Sequence, residues 1–473
     1  MSLEEIHADI DRLWSKHLRE TRELLRIPSV SMTGEGIEET AQRLLEIVSA
    51  MGAKAKLFRA TKDSHPVVGG LIDVGADKTV IVYGMYDVMP VGDLDAWDHP
   101  PFGAKIVERK PYGKVLINRG VCNSKAAMMG SLLAIRTMKD RDELPMNVHL
   151  ILEGEEELGG PGFPGYVRKN RARLSKADAA FTFDYGENAN GVPVIYLGLK
   201  GDVYMDLTVK GSDRGGPTKG EIHSSDAVLV ESPVWRLVHA ISTMVDENQD
   251  PAIDGIWDEV ATPTDEDITL VKKLVRKFDP ENYMKELGVK RLKVKGSREK
   301  ILRKYLFEPS VNIAGICAGY IEKGGKTILP ESAMAKLDIR LVPNMTIDGT
   351  RQRVKEHLRR RGFTDVEIEH HTDYGWSKVS VNEDVSQASI ETARYHGKEP
   401  EVWPLSAGSA PFDLFDQHLG VPWTSSGLGF GGKVHAPNEF AVVEGMKEFE
   451  KSVATLFHKY VEISSTRQSV RRK

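Results

Sequence analysis

The first two hundred residues alternate between short apolar runs and segments with helical periodicity, and this alternation restricts the possible folds strongly. The apolar runs cover residues 66–73, 79–88, 146–153 and 177–184. Between the second and third runs, residues 125–139 are rich in Ala, Met and Leu, as in a buried helix. Strands that alternate with helices predict an α/β domain with helices flanking a mostly parallel mixed sheet.

The pattern changes after about residue 202. Residues 333–342 alternate between apolar and polar side chains, as in an antiparallel strand with one exposed face, and a helical segment over 350–361 follows. Helix and strand patterns of the first kind return after about residue 380. We therefore predict an α/β domain formed by residues 1–202 and 380–473, with an α+β domain of residues 203–379 inserted into it.

Composition argues against several classes of protein. The 473 residues carry 64 Lys and Arg against 69 Asp and Glu, a net charge of −5, which does not favour a nucleic-acid or membrane-surface partner. No apolar run approaches the ~20 residues that cross a bilayer, and we find no signal-peptide core. Two cysteines cannot form a disulfide framework. We expect a cytoplasmic protein that binds neither nucleic acid nor membranes.

Acidic and polar residues follow the predicted strands at the edge where open α/β sheets bind ligands. Glu156 and Glu157 lie in EGEEELG after the third run, and Asp184 ends the fourth. Asn123 lies in RGVCNSK before the predicted helix, and His435 lies in HAPNE near the last helix. Taken singly, EGEEELG also fits a solvated turn, and His435 a hydrogen-bonded loop residue. Together, three carboxylates and a histidine are typical ligands of zinc or a harder divalent ion.

These segments, in this order, resemble those of the M20 family of metallopeptidases and amidohydrolases, especially its carnosinase-like dipeptidase branch. The resemblance covers nearly the whole chain and includes YGMYDVMPVGDLDAWDHPPF, RGVCNSK, EGEEELGG, IHSS, DIRLVPNMT, AGSAP and HAPNE. It implies a zinc-exopeptidase-like catalytic domain, an inserted lid and dimerisation domain, and a homodimer. It also implies hydrolysis of an amide, dipeptide or related C–N bond in a small substrate that bears a carboxylate.

The resemblance implies a dinuclear metal site and assigns residues to it. Glu157 and His435 correspond to ligands of one ion, and Asp184 corresponds to a ligand of the second. Glu156 corresponds to the general base that activates the attacking water.

Further residues correspond to groups that bind the substrate. His223 resembles the histidine that stabilises the oxyanion in the partner subunit's site. Arg340, together with Gly408 and Ser409, resembles the group that holds the substrate carboxylate, and a guanidinium suits bidentate binding of that anion.

Two positions depart from the family within the metal site. Met85 stands in MYD where the family has the histidine of H-x-D, and Asn123 stands where the family has the bridging aspartate. A thioether is a poor ligand for Zn²⁺ or Mn²⁺, and a neutral amide cannot supply the bridging charge. We therefore expect at most one divalent ion, Zn or Mn, held by Glu157 and His435 with Asn123 as a weak third ligand, or no ion.

The sequence leaves three functions open. The first is an M20-type hydrolase with at most one metal ion. The second is a metal-independent lyase, decarboxylase or isomerase that uses Glu156 and Glu157 as acid and base. The third is a non-catalytic binding homologue, against which the intact Glu156 argues, because a pure binder has no need of a base. For Cys122, next to Asn123, we favour a packing role over the role of a nucleophile or a metal ligand.

Overall fold

The computed structural model describes residues 3–212 and 214–471. Its α-helices are α1 (Leu3–Leu25), α2 (Ile37–Ala50), α3 (Lys125–Asp140), α4 (Gly162–Leu174), α5 (Pro233–Ser242), α6 (Asp265–Val275), α7 (Pro280–Leu287), α8 (Arg298–Phe307), α9 (Ile347–Arg360), α10 (Asp384–Tyr395) and α11 (Val443–Arg471). None of the helices in the described part of the chain combines the length and the apolar composition that a membrane span requires.

The strands are β1 (Lys54–Phe58), β2 (Val67–Ile72), β3 (Thr79–Met85), β4 (Lys105–Arg109), β5 (Gly113–Ile117), β6 (Asn147–Glu153), β7 (Ala179–Phe183), β8 (Val194–Tyr196), β9 (Gly198–Leu199), β10 (Gly201–Lys210), β11 (Ile222–His223), β12 (Ser310–Ala318), β13 (Ile328–Leu329), β14 (Ser332–Leu341), β15 (Glu367–His370), β16 (Ser377–Lys378), β17 (Glu401–Trp403), β18 (Trp423–Ser426), β19 (Gly431–Gly432) and β20 (Phe440–Val442).

The chain divides into two compact units. The first comprises the described residues up to Leu197, then Val379–Trp403, and those from Leu414 onward; the second comprises Gly198–Lys378 and Pro404–Asp413. Our expected boundaries were 202/203 and 379/380, with all of 380–473 in the first domain. The short segment around Ser406 instead lies with the second unit, because its backbone exchanges hydrogen bonds of 2.7 and 3.1 Å with the backbone of Gly198 and Lys200.

The first unit is built on a six-stranded sheet in the order β1-β2-β6-β3-β7-β18. Strands β6, β3, β7 and β18 are parallel, whereas β1 and β2 pair antiparallel at one edge. β2, β6 and β7 are almost entirely buried, as apolar strands covered by helices should be. Together with the comparisons below, this sheet confirms the predicted α/β fold.

A second sheet of the first unit, in the order β19-β20-β5-β4, corrects one element of the prediction. From the sequence alone, the pattern of residues 439–457 predicts a helix over this whole segment. Phe440 and Ala441 instead pair with Ile117 and Leu116 of β5, so that the helix begins only at Val443. This pairing brings the HAPNE segment next to the RGVCNSK segment, which directly follows β5.

The second unit is an α+β structure. Its sheet has the order β12-β14-β10-β15, and all of its pairs are antiparallel. Alternate residues of β10 and β14 are buried in a core to which α5 and α9 also contribute. Helices α6, α7 and α8 occupy a polar and charged stretch of the chain, in which we predict no helix from the sequence.

Candidate active site

The acidic residues meet at one edge of the main sheet. β3 lies between β6 and β7, and the three strands are parallel, so their carboxyl ends lie side by side. Asp87 follows β3, Glu156 and Glu157 form a turn after β6, and Asp184 follows β7. This is the edge at which ligands bind in open α/β sheets.

Asn123, Glu157 and His435 form a triangle of polar atoms. Nδ2 of Asn123 donates a hydrogen bond of 2.8 Å to Oε1 of Glu157, and Nε2 of His435 lies 3.0 Å from that nitrogen and 3.1 Å from that oxygen. The hydrogen bond to Glu157 raises the pKa of His435. The backbone of His435 has a φ of 59°, a left-handed conformation that is uncommon outside glycine and often marks a functional site.

Glu156 and Asp184 are carboxyl groups whose environments favour the protonated form. Burial, followed by the charges of Glu157 and Asp87, raises the pKa of Glu156 well above its ordinary value. Burial also raises the pKa of Asp184, although a hydrogen bond from Oγ of Ser124 to its Oδ1 acts in the opposite direction. Without a cation nearby, both burial and the neighbouring charges therefore favour the protonated form of Glu156.

Asp87 positions the two glutamates, a role that we did not assign from the sequence. Its side chain is fully buried, and its two carboxylate oxygens accept the backbone N–H groups of Glu156 and Glu157 at 3.1 and 3.0 Å. Burial raises its pKa to about 7 despite these hydrogen bonds. The signal available in the sequence was an aspartate directly after an apolar strand.

Glu439 holds the segment that carries Asn123, and this role was also missed. Its Oε1 accepts the N–H groups of Cys122 and Asn123 at 2.8 and 3.0 Å, and its Oε2 accepts that of Gly120 at 3.1 Å. Oε2 also forms an ion pair of 2.7 Å with Arg119, and both side chains are buried. Glu439 is part of HAPNE, but a sequence cannot show that a carboxylate binds a backbone far away along the chain.

Cys122 and Met85 are the remaining sulfur-containing residues of this region. Burial, together with the charges of Glu439 and Asp184, raises the pKa of the Cys122 thiol, which disfavours the thiolate needed for attack or metal binding. Its Sγ packs so closely on Gly431 that a Cβ there would lie 2.5 Å away. Met85 is the last residue of β3 and is 7% exposed.

The predicted substrate-binding residues lie in the second unit. Nη1 of Arg340 donates to Oγ of Ser409 at 2.7 Å and lies 3.2 Å from Asp202. The N–H of Gly408 donates to Oγ of Ser406 at 3.1 Å. The structure thus brings Arg340 and the Gly408–Ser409 turn together, although they are far apart in sequence.

His223 also lies in the second unit, in the short strand β11. Its Nδ1 accepts the N–H of Ser225 at 3.1 Å, and its Nε2 lies 3.0 Å from Oγ1 of Thr327. The side chain is exposed. These contacts fix the direction of the imidazole within the unit.

The sequence model described as "Peptidase family M20/M25/M40" matches residues 81–459, most of the chain. The chain belongs to this family. A Cys-Gly metallodipeptidase of Schizosaccharomyces pombe is 26% identical over 98% of this chain and 99% of its own. An M20 family metallo-carboxypeptidase structure from Sulfolobus solfataricus has a TM-score of 0.86 and 38% identity, covering 94% of this chain and 99% of that one.

A third relative is the dipeptidase Dug1p of Saccharomyces cerevisiae, whose structure has a TM-score of 0.81 at 25% identity and covers 98% of this chain and 99% of that one. These comparisons make this M20-family protein a hydrolase with the α/β fold of the family and a second domain. They cover both units of the chain.

Two side chains of this M20-family member differ from the ligands that the family resemblance implies for a dinuclear metal centre. Met85 offers a thioether where a nitrogen ligand is expected, and Asn123 directs its amide N–H group, a donor without a lone pair for a cation, at Glu157. Within residues 3–212 and 214–471, no cluster of three or more His, Cys, Asp or Glu side chains is arranged to hold a metal ion. Glu157 and His435 bring a carboxylate oxygen and an imidazole nitrogen within 3.1 Å of each other.

Proposed function

We propose that the protein hydrolyses a dipeptide or related amide bond in a small substrate that bears a carboxylate, with at most one divalent metal ion. The observation that carries this proposal is the position of Glu156 at the edge of the sheet, among Asp87, Glu157 and Asp184. Met85 and Asn123 stand where the family resemblance implies two further metal ligands. The names of the relatives, two of which contain "metallo", support a hydrolase that uses a divalent ion.

Glu157 and His435 would hold the single ion, because their donor atoms already converge and a carboxylate with an imidazole is a suitable pair for Zn²⁺. When bound, such an ion supplies polarisation of the substrate carbonyl. Asn123 is the third residue at this position, and its amide would have to turn its oxygen toward the ion to contribute. Asp184, which accepts a hydrogen bond from Ser124, would be the one carboxylate left at the second metal position that the resemblance implies.

Glu156 would move the proton of the reaction. In its ionised form it accepts a proton from the attacking water, and in its protonated form it donates one to the departing amine. The backbone N–H of Glu156 donates a hydrogen bond to Asp87, and this contact fixes the backbone position from which the side chain extends. Burial and the neighbouring charges raise its pKa, which favours the protonated form that donates.

The second unit would bind the rest of the substrate. Arg340, steadied by Ser409, is the group for the carboxylate, and His223 is the group for the developing oxyanion. The name of the relative that is a metallo-carboxypeptidase agrees with recognition of a substrate carboxylate. As in the family resemblance, we propose that the protein is a homodimer and that His223 acts in the partner subunit's site.

A metal-independent reaction is the second candidate, and a specific observation favours it. Burial and the neighbouring charge of Glu157 raise the pKa of Glu156, and a carboxyl group shifted toward its protonated form next to a second acid is the arrangement of an acid–base pair that needs no cation. Such a pair suits a lyase, decarboxylase or isomerase. A non-catalytic binding homologue is the third, but such a protein would have no use for the base Glu156.

The proposal is tested by screening dipeptides and N-acyl amino acids with protein that was exposed to Zn²⁺ or Mn²⁺ and then desalted. The Glu156→Gln variant and, as a control, a variant at the exposed Glu108 (Glu108→Gln) are measured in parallel. We expect hydrolysis by the parent and the control, and a loss of about 100-fold or more in Glu156→Gln. Full activity of Glu156→Gln would contradict the proposed role of the base.

A further inference from the structure

The second unit contains a cavity of about 350 Å³ that the roles described above do not explain. Its volume lies within the range of roughly 300–1,000 Å³ that small-molecule sites occupy. Helices α7 and α8, with the segment that joins them, form much of its wall, and Arg340 and Ala407 border it. The cavity therefore adjoins the group that we assign to the substrate carboxylate.

One wall of the cavity is aromatic and aliphatic. Phe278, Tyr283 and Tyr305 follow one another as a row of rings, with centroid distances of 5.7 and 6.0 Å between neighbours. Ile301 and Leu292 also line the cavity. An apolar ligand body therefore gains free energy when it leaves water and packs on this wall.

The lining of the cavity also includes a buried cation, Lys200. Its side chain is only 4% exposed, and its ammonium group donates a hydrogen bond of 2.7 Å to the backbone carbonyl oxygen of Glu308. Lys200 forms no ion pair with a carboxylate of the described residues. Burial and the charge of Arg340 lower its pKa to about 8. A buried ammonium group without a carboxylate partner is a place where an anion would be stabilised.

The acidic groups of the lining are already occupied by other lysines. Asp250 lies 2.5 Å from Lys304 and 3.4 Å from Lys293, and Glu308 lies 3.2 Å from Lys304. Arg340 also lines the cavity, but its Nη1 and Nε already contact Ser409, Asp202 and Asp338. The positive charge that remains for a ligand therefore comes mainly from Lys200, with Arg340 as a further hydrogen-bond donor.

We propose that this cavity binds an organic anion with an aromatic or long aliphatic body, and that it receives the side chain of the carboxylate-bearing residue of the substrate. The carboxylate would lie against Arg340 and Lys200, and the body would pack on the rings of Phe278, Tyr283 and Tyr305. The assignment to the substrate rests on the proposed function, whereas the binding of the anion does not. The protein would accordingly prefer substrates whose carboxylate-bearing residue has a large apolar side chain.

The binding part is tested by calorimetric titration of the full-length protein with 3-phenylpropionate, and with acetate and 3-phenyl-1-propanol as probes that lack the ring or the charge. Ile301→Trp fills the cavity and Lys200→Met removes the charge. Lys273→Met, at an exposed lysine of α6, removes the same charge elsewhere and is the matched control. We expect 3-phenylpropionate to bind the parent and the control alike, and to bind both cavity variants about tenfold or more weakly.

The substrate part is tested by comparing kcat/KM for dipeptides that end in phenylalanine or leucine with those that end in glycine. We expect a preference for the apolar residues of about tenfold or more, which Ile301→Trp abolishes. Equal binding of 3-phenylpropionate to the parent and both cavity variants would overturn the binding site. Binding that depends on the cavity without any dipeptide hydrolysis would leave the site standing and reject the proposed function. Hydrolysis with a preference unaffected by Ile301→Trp would reject the assignment of the substrate side chain.

Discussion

The amide nitrogen of Asn123 lies 2.8 Å from Oε1 of Glu157, to which it donates a hydrogen bond. The amide is neutral, but the N–H group directed at Glu157 carries partial positive charge and satisfies this acceptor oxygen. A hydrogen bond of this kind holds the loop after β6 against the segment before α3 in the absence of metal.

Replacing Met85 and Asn123, the two residues that differ from the family pattern, should create a second metal position. We expect the double variant Met85→His and Asn123→Asp to bind about two zinc ions per chain, since it restores an imidazole and a bridging carboxylate beside Asp184. The parent should bind at most one. Elemental analysis after exposure to Zn²⁺ and desalting measures this, and Asn123→Ala serves as a control that removes the amide without adding charge. Two ions in the parent would mean that other side chains replace the lost ligands.

Loss of the buried carboxylate of Glu439 should destabilise the first unit. Glu439→Gln leaves the guanidinium of Arg119 buried without its counter-charge, and breaking a buried pair costs roughly 3–5 kcal/mol of unfolding free energy. Glu444→Gln, at a side chain that is 69% exposed beside Lys447, is the control and should change stability by less than about 1 kcal/mol. Urea denaturation compares the two, and similar values would show that the ion pair contributes little.

Stability should fall as pH rises because of Glu153. Burial raises its pKa from 4.5 to about 8, so between these values the folded chain keeps a proton that the unfolded chain has lost. Its contribution is fully present below the unfolded pKa and is lost as pH rises through the folded pKa, with a slope of up to about 1.4 kcal/mol per pH unit.

Glu153→Gln does not titrate, and its side-chain oxygen can still accept the N–H of Phe163. The free energy of unfolding of this variant, measured by urea denaturation across that range, should therefore depend less on pH than that of the parent. Glu108→Gln should follow the parent. Parallel curves for the parent and Glu153→Gln would show that Glu153 titrates normally.

We expect the edge strand β12 to form part of the interface of the proposed dimer. It is the last strand of its sheet, and Ile313 and Ile316 are 44% and 53% exposed. We expect Ile316→Lys to shift the protein toward monomer in light-scattering chromatography, and Leu57→Lys, on the edge strand β1 of the other sheet, to leave the mass unchanged. If His223 acts in the partner's site, hydrolysis falls together with the dimer; a fully active monomer would contradict that role.

The sequence was sufficient for the alternation of strands and helices in the first unit, because each buried strand has a short apolar run and α3 has a continuous apolar composition. It also indicated which acids lie at one sheet edge, because parallel strands place their carboxyl ends together. The structure brings Asn123, Glu157 and His435 within hydrogen-bonding distance, but their role in binding a metal stays a prediction.

Other features could not be read from local pattern. Helices α6 to α8 are polar on most faces, and the strand Phe440–Val442 is too short to interrupt a helical pattern without knowledge of its partner β5. The support that Asp87 and Glu439 give is directed at backbone N–H groups, which every residue has, so no side-chain motif marks it. The cavity beside Lys200 depends on two helices, α7 and α8, that meet Lys200 and Arg340 only after folding.

The course of the chain between the two units has a consequence for how this architecture can be inherited. The backbone passes from one unit to the other at four places, which are the bonds 197–198, 378–379, 403–404 and 413–414. Recombination with a single pair of breakpoints would transfer residues 198–378 but leave Ser409, the hydrogen-bonding partner of Arg340, in the other gene. We expect the two units to have diverged as one genetic module, with substitutions at Arg340 and in the 404–413 segment changing together across lineages.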